Sequence, residues 1–158
     1  MAKERKPLRS RRSPKLQDTV RLSADGVAKV VGDLEARILH VLWAFGRPVP
    51  AKQVHTRIVE THPVSPLTVI TVLNRMTEKG LLRRAKKSDL FHYDARMTEP
   101  EFMSHASRHM VEGVISFEPD AMAASFIDVW AKRDPDRLAT LSRLIEERLD
   151  CDAKKRKG

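Results

Sequence analysis

The segment 66–78 carries polar and basic side chains at the spacing of one helix face. Its apolar residues recur every three or four positions, and the opposite face carries Leu67, Thr68, Thr71, Asn74 and Arg75. Ser65 and Pro66 favour a helix that begins here, because serine caps helix N-termini and proline suits the first helical position. Hydroxyl, amide and guanidinium groups on one face can hydrogen-bond to base edges and phosphates. We therefore predict that Ser65 and this helix face contact double-stranded DNA.

The side chains of this face suggest a division of roles. Thr68, Thr71 and Asn74 are suited to base edges, and Arg75 is suited to a phosphate. Leu67 is apolar and lies in the first turn, where it could touch the methyl group of a thymine. The predicted chemistry is therefore noncovalent recognition of a duplex.

A basic hairpin follows this helix in the sequence. Residues 81–86 predict a strand, residues 87–89 a turn, and residues 90–95 a returning strand. Helices predicted over 33–45 and 51–61, with a very short strand between them, complete the order of a winged helix-turn-helix. In that fold the third helix enters the major groove and the hairpin contacts the backbone beside it. We expect further DNA contacts from four basic residues: Lys52, Arg84, Lys86 and Lys87.

Residues 98–149 predict three amphipathic helices with apolar stripes. A helical section of this size buries little surface alone, and pairing with a second copy about a twofold axis is the commonest solution. We predict a homodimer interface at apolar residues of the last two helices: Met122, Phe126, Val129, Trp130, Leu138, Leu141 and Ile145. The predicted fold class is mainly α, with a winged helix-turn-helix domain followed by a three-helix dimerisation region.

The charge distribution divides the chain in the same way. The 158 residues carry a formal net charge of +9. Residues 33–97 hold 11 basic and 6 acidic side chains, whereas residues 98–149 hold 6 basic and 10 acidic ones, so only the first part suits a polyanion. We predict four parts: a disordered basic tail over 1–28, a DNA-binding domain over 29–97, a dimerisation region over 98–149 and a basic C-terminal tail over 150–158.

Several classes of protein do not fit this sequence. It contains no nucleophile elbow, phosphate-cradling glycine loop or paired catalytic carboxylates, so we predict no enzyme and no cofactor. It has no run of about 18 apolar residues, so we predict no membrane insertion. A single cysteine, Cys151, cannot form an internal disulfide, and this favours a reducing, cytoplasmic location.

Two alternatives stay open at this point. The basic tails would also suit a non-specific architectural DNA-binding protein, whose affinity depends on salt but not on base sequence. The same fold could instead serve a repressor that responds to a ligand or a metal. His105 and His109 have a spacing that metal sites use, but such pairs are more often solvated, so we assign no metal ligand.

Two segments resemble the penicillinase repressor family of winged-helix transcriptional regulators. The first is 32–43, which includes Gly32-Asp33-Leu34-Glu35 and Val41-Leu42-Trp43. The second and more specific is 65–82, with a Ser-Pro-x-Thr start at Ser65 and a Lys-Gly ending at Gly80. The resemblance covers about residues 30–149 and leaves both basic ends outside it.

The resemblance implies a homodimeric repressor that binds an inverted-repeat operator and controls β-lactam resistance or another stress response. In the antibiotic-resistance members, a membrane sensor protease cuts the repressor just before a phenylalanine in the dimerisation region. The matching bond here joins Ser125 to Phe126, where those members have asparagine before the bond. The copper-responsive members carry paired cysteines near the C-terminus, which this chain lacks.

Overall fold

The structure is a computed structural model that describes residues 26–115 and 118–156. A single 3-10 turn at Gly26–Lys29 precedes the regular elements. These are α1 Asp33–Phe45, β1 Val49–Pro50, α2 Ala51–Val59, α3 Pro66–Glu78, β2 Leu82–Lys87, β3 Leu90–Ala95, α4 Glu99–Ile115, α5 Pro119–Arg133 and α6 Pro135–Arg156. This order confirms the predicted fold class, a winged helix-turn-helix followed by three helices.

The chain forms two compact units, and the boundary lies within α4 between Arg108 and His109. In the first unit, α1, α2 and α3 pack with a three-stranded antiparallel sheet of order β1-β3-β2. Val49 of β1 pairs with Tyr93, and Tyr93 pairs on its other side with Arg84. The core of this unit is apolar and includes Ile38, Leu42, Val54, Ile58, Val69, Leu73, Met76, Leu82 and Phe102.

A glycine follows each of the helices α1 and α3. Gly46 follows α1 with φ 60°, and its N–H donates to the Leu42 carbonyl at 3.1 Å. Gly80 follows α3 with φ 78°, and the N–H of Leu81 reaches the Met76 carbonyl at 2.9 Å. Left-handed backbone favours glycine because it has no Cβ. The sharp stop after α3 directs the chain into β2.

The wing hairpin turns at Ser88 and Asp89, both of which have positive φ, 48° and 64°. Two consecutive residues with positive φ are typical of a two-residue hairpin turn whose twist matches that of the strands. Lys86 and Asp89 form an ion pair at 3.2 Å across the turn. Lys87, predicted to start the turn, is instead the last residue of β2 and pairs with Leu90.

The start of α4 packs with the winged unit. Thr98 and Glu101 cap the helix reciprocally: the Thr98 N–H donates to Glu101 Oε2 at 2.9 Å, and the Glu101 N–H donates to Thr98 Oγ1 at 3.4 Å. This is a capping box. Phe102 then lies against Trp43 of α1, with ring centroids 5.7 Å apart, and Trp43 Nε1 donates to the Met97 carbonyl at 2.8 Å.

The second unit contains α5 and α6, which pack against each other. Among its described residues none is buried in either helix. Large apolar side chains are exposed along both: Phe126, Ile127, Val129, Leu144, Ile145 and Leu149.

Two predicted boundaries differ from the ends of the elements that the structure describes. The disordered tail was placed over 1–28, but Gly26–Lys29 forms a 3-10 turn and Val27 is buried in the core with Val30 and Val31. A single short turn has too few residues to show a helical period, which is why the pattern missed it. The basic C-terminal tail over 150–158 was placed beyond the last helix, but α6 continues to Arg156. Residues 1–25 lie outside the described residues.

Candidate nucleic-acid interface

The start of α3 is fixed by its N-cap. Ser65 Oγ accepts a hydrogen bond from the Thr68 N–H at 3.1 Å, and Pro66 occupies the first helical turn. The Ser65 and Thr68 hydroxyls are also 2.8 Å apart. Both residues were predicted to contact DNA, and the structure places both at the exposed N-terminus of this helix. Helix N-termini favour phosphate oxygens, because their N–H groups and dipole are aimed outward.

Replacing Ser65 with alanine is expected to lower the free energy of unfolding by about 1 kcal/mol, because one N–H of the first turn loses its acceptor. Chemical denaturation of the full chain measures this through the shift in midpoint. Ser107→Ala is the matched control, since Ser107 is exposed in the middle of α4, where alanine is a good helix former. Equal midpoints for the two variants would contradict the capping role.

The exposed face of α3 is less polar than its sequence suggests. Leu67 is 72% exposed, and Ile70 is also exposed. The Thr71 hydroxyl donates to the Leu67 carbonyl at 2.9 Å, so its proton is committed to the helix backbone. Arg75 lies exposed two turns beyond Leu67. The face therefore combines apolar groups, hydroxyl acceptors and one guanidinium.

Asn74 contacts the wing. Its Oδ1 accepts hydrogen bonds from Arg84 Nη1 at 2.9 Å and from the Tyr93 hydroxyl at 3.0 Å. Two residues predicted separately as DNA contacts, Asn74 and Arg84, are thus brought together where β2 packs beside α3. The sequence analysis missed this cluster, because it assigned no role to Tyr93.

The basic residues of the wing lie on both faces of the hairpin. Successive side chains of a strand point to opposite faces, so Arg84 and Lys86 share one face and Lys87 lies on the other. Arg84 stacks over the Phe91 ring, with Cζ 4.4 Å from the centroid. All three basic side chains are exposed.

Lys52 lies on the exposed side of α2, next to α3. It lines a groove of about 360 Å³ between these helices, together with His55 and Ile70. His55 Nε2 is 3.0 Å from the Val64 carbonyl, which ties α2 to the loop before α3. Lys52 therefore lies beside α3, and its contact with phosphate stays a prediction.

An ion pair that the sequence did not reveal holds α3 against α1. Lys79 Nζ lies 2.7 Å from Glu35 Oε1, and Glu35 Oε2 accepts from the Gly32 N–H at 3.1 Å. The Glu35 side chain is only 10% exposed, and a buried carboxylate needs such partners. The sequence shows that Glu35 lies in the first turn of α1, where an acidic residue is favoured. It does not identify Lys79 as the partner of Glu35.

The predicted dimerisation residues all lie in α5 and α6. Phe126, Val129 and Ile145 are exposed, and the others are half-buried: Met122, Trp130, Leu138 and Leu141. Phe126 and Trp130 lie side by side with ring centroids 6.1 Å apart. With Val129 and Arg133 they line a cavity of about 580 Å³. The described chain leaves this apolar surface facing solvent.

The predicted cleavage site lies within a helix. Ser125 and Phe126 are consecutive exposed residues in the middle of α5. A protease binds its substrate as an extended chain, so cutting here would first require local unfolding of α5.

The structure holds no group of three or more His, Cys, Asp or Glu side chains that could bind a metal ion, within residues 26–115 and 118–156. His105 and His109 lie on α4, and Cys151 is exposed on α6. None of the helices in that same part of the chain is long and apolar enough to span a membrane.

The fold and the exposed face of α3 define a winged helix-turn-helix of the DNA-binding class. The sequence model of the penicillinase repressor family matches residues 31–147. The chain therefore belongs to this family of DNA-binding transcriptional regulators, as the resemblance implied.

A curated protein from Latilactobacillus sakei, described as an uncharacterized 16.5 kDa protein in the ptsI 3′ region, is 23% identical over 94 residues. The match covers 60% of this chain and 64% of that relative, so the chain spans just under two thirds of its length.

Two solved structures are also similar to this chain. BpsR of Bordetella bronchiseptica, whose DNA binding is regulated by 6-hydroxynicotinic acid, is 15% identical with a TM-score of 0.36 and covers 66% of this chain and 76% of its own. A structure of the DNA recognition and protein interaction domains of HOP2 is 21% identical with a TM-score of 0.37. It covers 39% of this chain and 97% of its own.

Proposed function

We propose that this protein is a homodimeric, sequence-specific transcriptional repressor that binds an inverted-repeat operator in double-stranded DNA. The observation that carries the proposal is the exposed face of α3, from Leu67 to Arg75, beside a basic wing. A helix in this position of a winged helix enters the major groove, where base edges can be distinguished. Arg75, Lys52 and the wing supply phosphate contacts, which set affinity and register.

The second unit supports the homodimer. The apolar side chains of α5 and α6 are exposed in one copy of the chain, and a second copy carries the same surface and can cover it. The dimer presents two copies of α3, one recognition helix from each protomer, to the same duplex. Binding of the second helix is then intramolecular, so the dimer binds far more tightly than a single unit.

Membership in the family favours genes of β-lactam resistance or another stress response as the targets. Release of the operator follows from loss of the dimer. A membrane sensor protease that cuts between Ser125 and Phe126 would achieve this, because the cut divides α5 and separates most of the predicted interface from the DNA-binding unit.

Selection of bound sequences from a random duplex pool tests the proposal. We expect the full chain to enrich an inverted repeat whose half-sites are about one helical turn apart, or a small multiple of it. Enrichment of no sequence, together with strongly salt-dependent binding, would instead indicate the non-specific architectural alternative.

A pair of variants with the same change in charge controls for electrostatics. Arg75→Ala removes a cation from the α3 face, and Arg148→Ala removes one from α6, where Arg148 pairs with Asp152 at 3.5 Å. For Arg75→Ala we expect weaker operator binding and a log–log salt slope reduced by about 0.9, the effect of one lost phosphate contact. Arg148→Ala should match the unmodified protein, and equal losses from both would count against α3 as the interface.

A further inference from the structure

The orientation of the Asn74 amide follows from its partners. Arg84 Nη1 and the Tyr93 hydroxyl lie 2.9 Å and 3.0 Å from the same atom. A guanidinium can only donate, so the atom facing it is the amide oxygen and not the nitrogen. A carbonyl oxygen has two lone pairs, and these two hydrogen bonds use both of them.

This arrangement conflicts with direct base contact by Asn74. Asparagine recognises adenine with both amide atoms: the oxygen accepts from N6 and the nitrogen donates to N7. The oxygen of Asn74 is already fully engaged by Arg84 and Tyr93. A bidentate contact with adenine would therefore require at least one of the two hydrogen bonds to the wing to break.

Arg84 is held from two directions. Asn74 accepts a hydrogen bond from one N–H group of Arg84. The Phe91 ring lies under the guanidinium, with its centroid 4.4 Å from Cζ. Tyr93 is the direct cross-strand partner of Arg84, and Phe91 is the diagonal neighbour on the same face. The buried Tyr93 ring anchors this cluster to the core. The guanidinium remains exposed at the edge of the wing beside α3.

We infer that Asn74 is a positioning residue, which fixes Arg84 relative to α3 so that the guanidinium is preorganised for a DNA phosphate. The inference rests on the proposed function and assigns Asn74 a role other than base recognition. A fixed arginine loses less side-chain entropy on binding than a free one. The contribution of Asn74 to affinity is then independent of base sequence.

Binding measurements with the full chain separate the two roles. Wild type, Asn74→Ala, Arg84→Ala and the double variant are compared on the selected operator and on a random duplex of equal length. We expect Asn74→Ala to weaken binding to both duplexes by the same factor, roughly fivefold, the scale of one net intramolecular hydrogen bond. In the double variant the loss should equal that of Arg84→Ala alone, because Asn74 acts through Arg84.

Base recognition by Asn74 predicts a different result. Asn74→Ala would then weaken binding to the operator but not to the random duplex, and the double variant would lose affinity by the product of the two single factors. That result would overturn the inference and leave the proposed function standing, whereas failure of the wild type to bind either duplex would overturn both. NMR of the DNA-free protein gives a second readout. The Arg84 side-chain protons should carry a ring-current shift from Phe91 that is lost in Asn74→Ala and kept in Tyr93→Phe, while the rest of the spectrum reports an intact fold. An unchanged shift in Asn74→Ala would also overturn the inference.

Discussion

Replacing Phe102 with alanine is expected to lower the free energy of unfolding of the first unit by about 3–5 kcal/mol. Phe102 is 1% exposed and packs against Trp43 of α1. Truncation removes this buried apolar surface and leaves a cavity that the neighbouring helices can only partly fill. The loss is a large part of the roughly 5–15 kcal/mol that stabilises an ordinary domain. The midpoint of chemical denaturation, followed by the fluorescence of Trp43 with Trp130 replaced by phenylalanine in both proteins, measures it.

Met103→Ala is the matched control for this prediction. Met103 is the next residue of α4, but its side chain is exposed. We expect Met103→Ala to change the free energy of unfolding by less than about 0.5 kcal/mol, as most surface substitutions do. If both variants unfolded at the same midpoint, the start of α4 would not be part of the core of the winged unit. The predicted end of the DNA-binding domain at residue 97 would then stand. In the structure, Phe102 and Ala106 lie in the core, beyond that predicted end.

Features of the fold that depend on neighbours in sequence were predictable. Ser65, Pro66 and Gly80 define where α3 begins and ends, because capping and left-handed backbone depend on one or two residues each. The apolar period also indicated the inward face of α3, where Val69, Leu73 and Met76 are buried. The order of helices and strands followed, and with it the winged helix-turn-helix.

Contacts between distant side chains were not predictable from such patterns. Asn74 and Arg84 meet because β2 packs beside α3, and the register of β2 and β3 adds Tyr93 to the same cluster. The pairing of Glu35 with Lys79 spans 44 residues and depends on how α1 packs beside α3. Asn74 was therefore assigned to base edges from its helix face alone, without its partners in the wing.

Some of the candidate site was within reach of the sequence. Alternation along β2 separates Arg84 and Lys86 from Lys87, so the two-residue period of a strand is enough to divide the wing residues between two faces. The hydroxyl of Thr71 lies four residues after Leu67, where back-bonding to the helix backbone is common. These local rules indicate which wing residues share a face and which hydrogen-bonding groups of α3 remain free to contact DNA.

Replacing Ile145 with aspartate is expected to weaken operator binding by a factor of about 100 or more, because linking two DNA-binding units adds roughly 10²–10⁴ to their joint affinity. Ile145 is 58% exposed in one copy of the chain, so aspartate costs little there. In the proposed homodimer the same side chain is covered by a second copy, where an unpaired carboxylate is strongly unfavourable. Sedimentation equilibrium should show the shift from dimer to monomer, and titration of operator DNA should show the loss of affinity.

Thr140→Asp controls for the added negative charge, because Thr140 is exposed on α6 about 140° around the helix from Ile145. We expect this variant to stay dimeric and to bind the operator as the wild type does. Truncation after Arg108 gives an independent route to the monomer, since it keeps Phe102 in the winged unit and removes α5 and α6 entirely. The truncated chain and Ile145→Asp should bind a single half-site equally well. Their loss should appear only on the full inverted repeat, because what each has lost is the link between two recognition helices and not the helix itself. Full-strength binding of the repeat by either one would rule out the homodimer as the binding species.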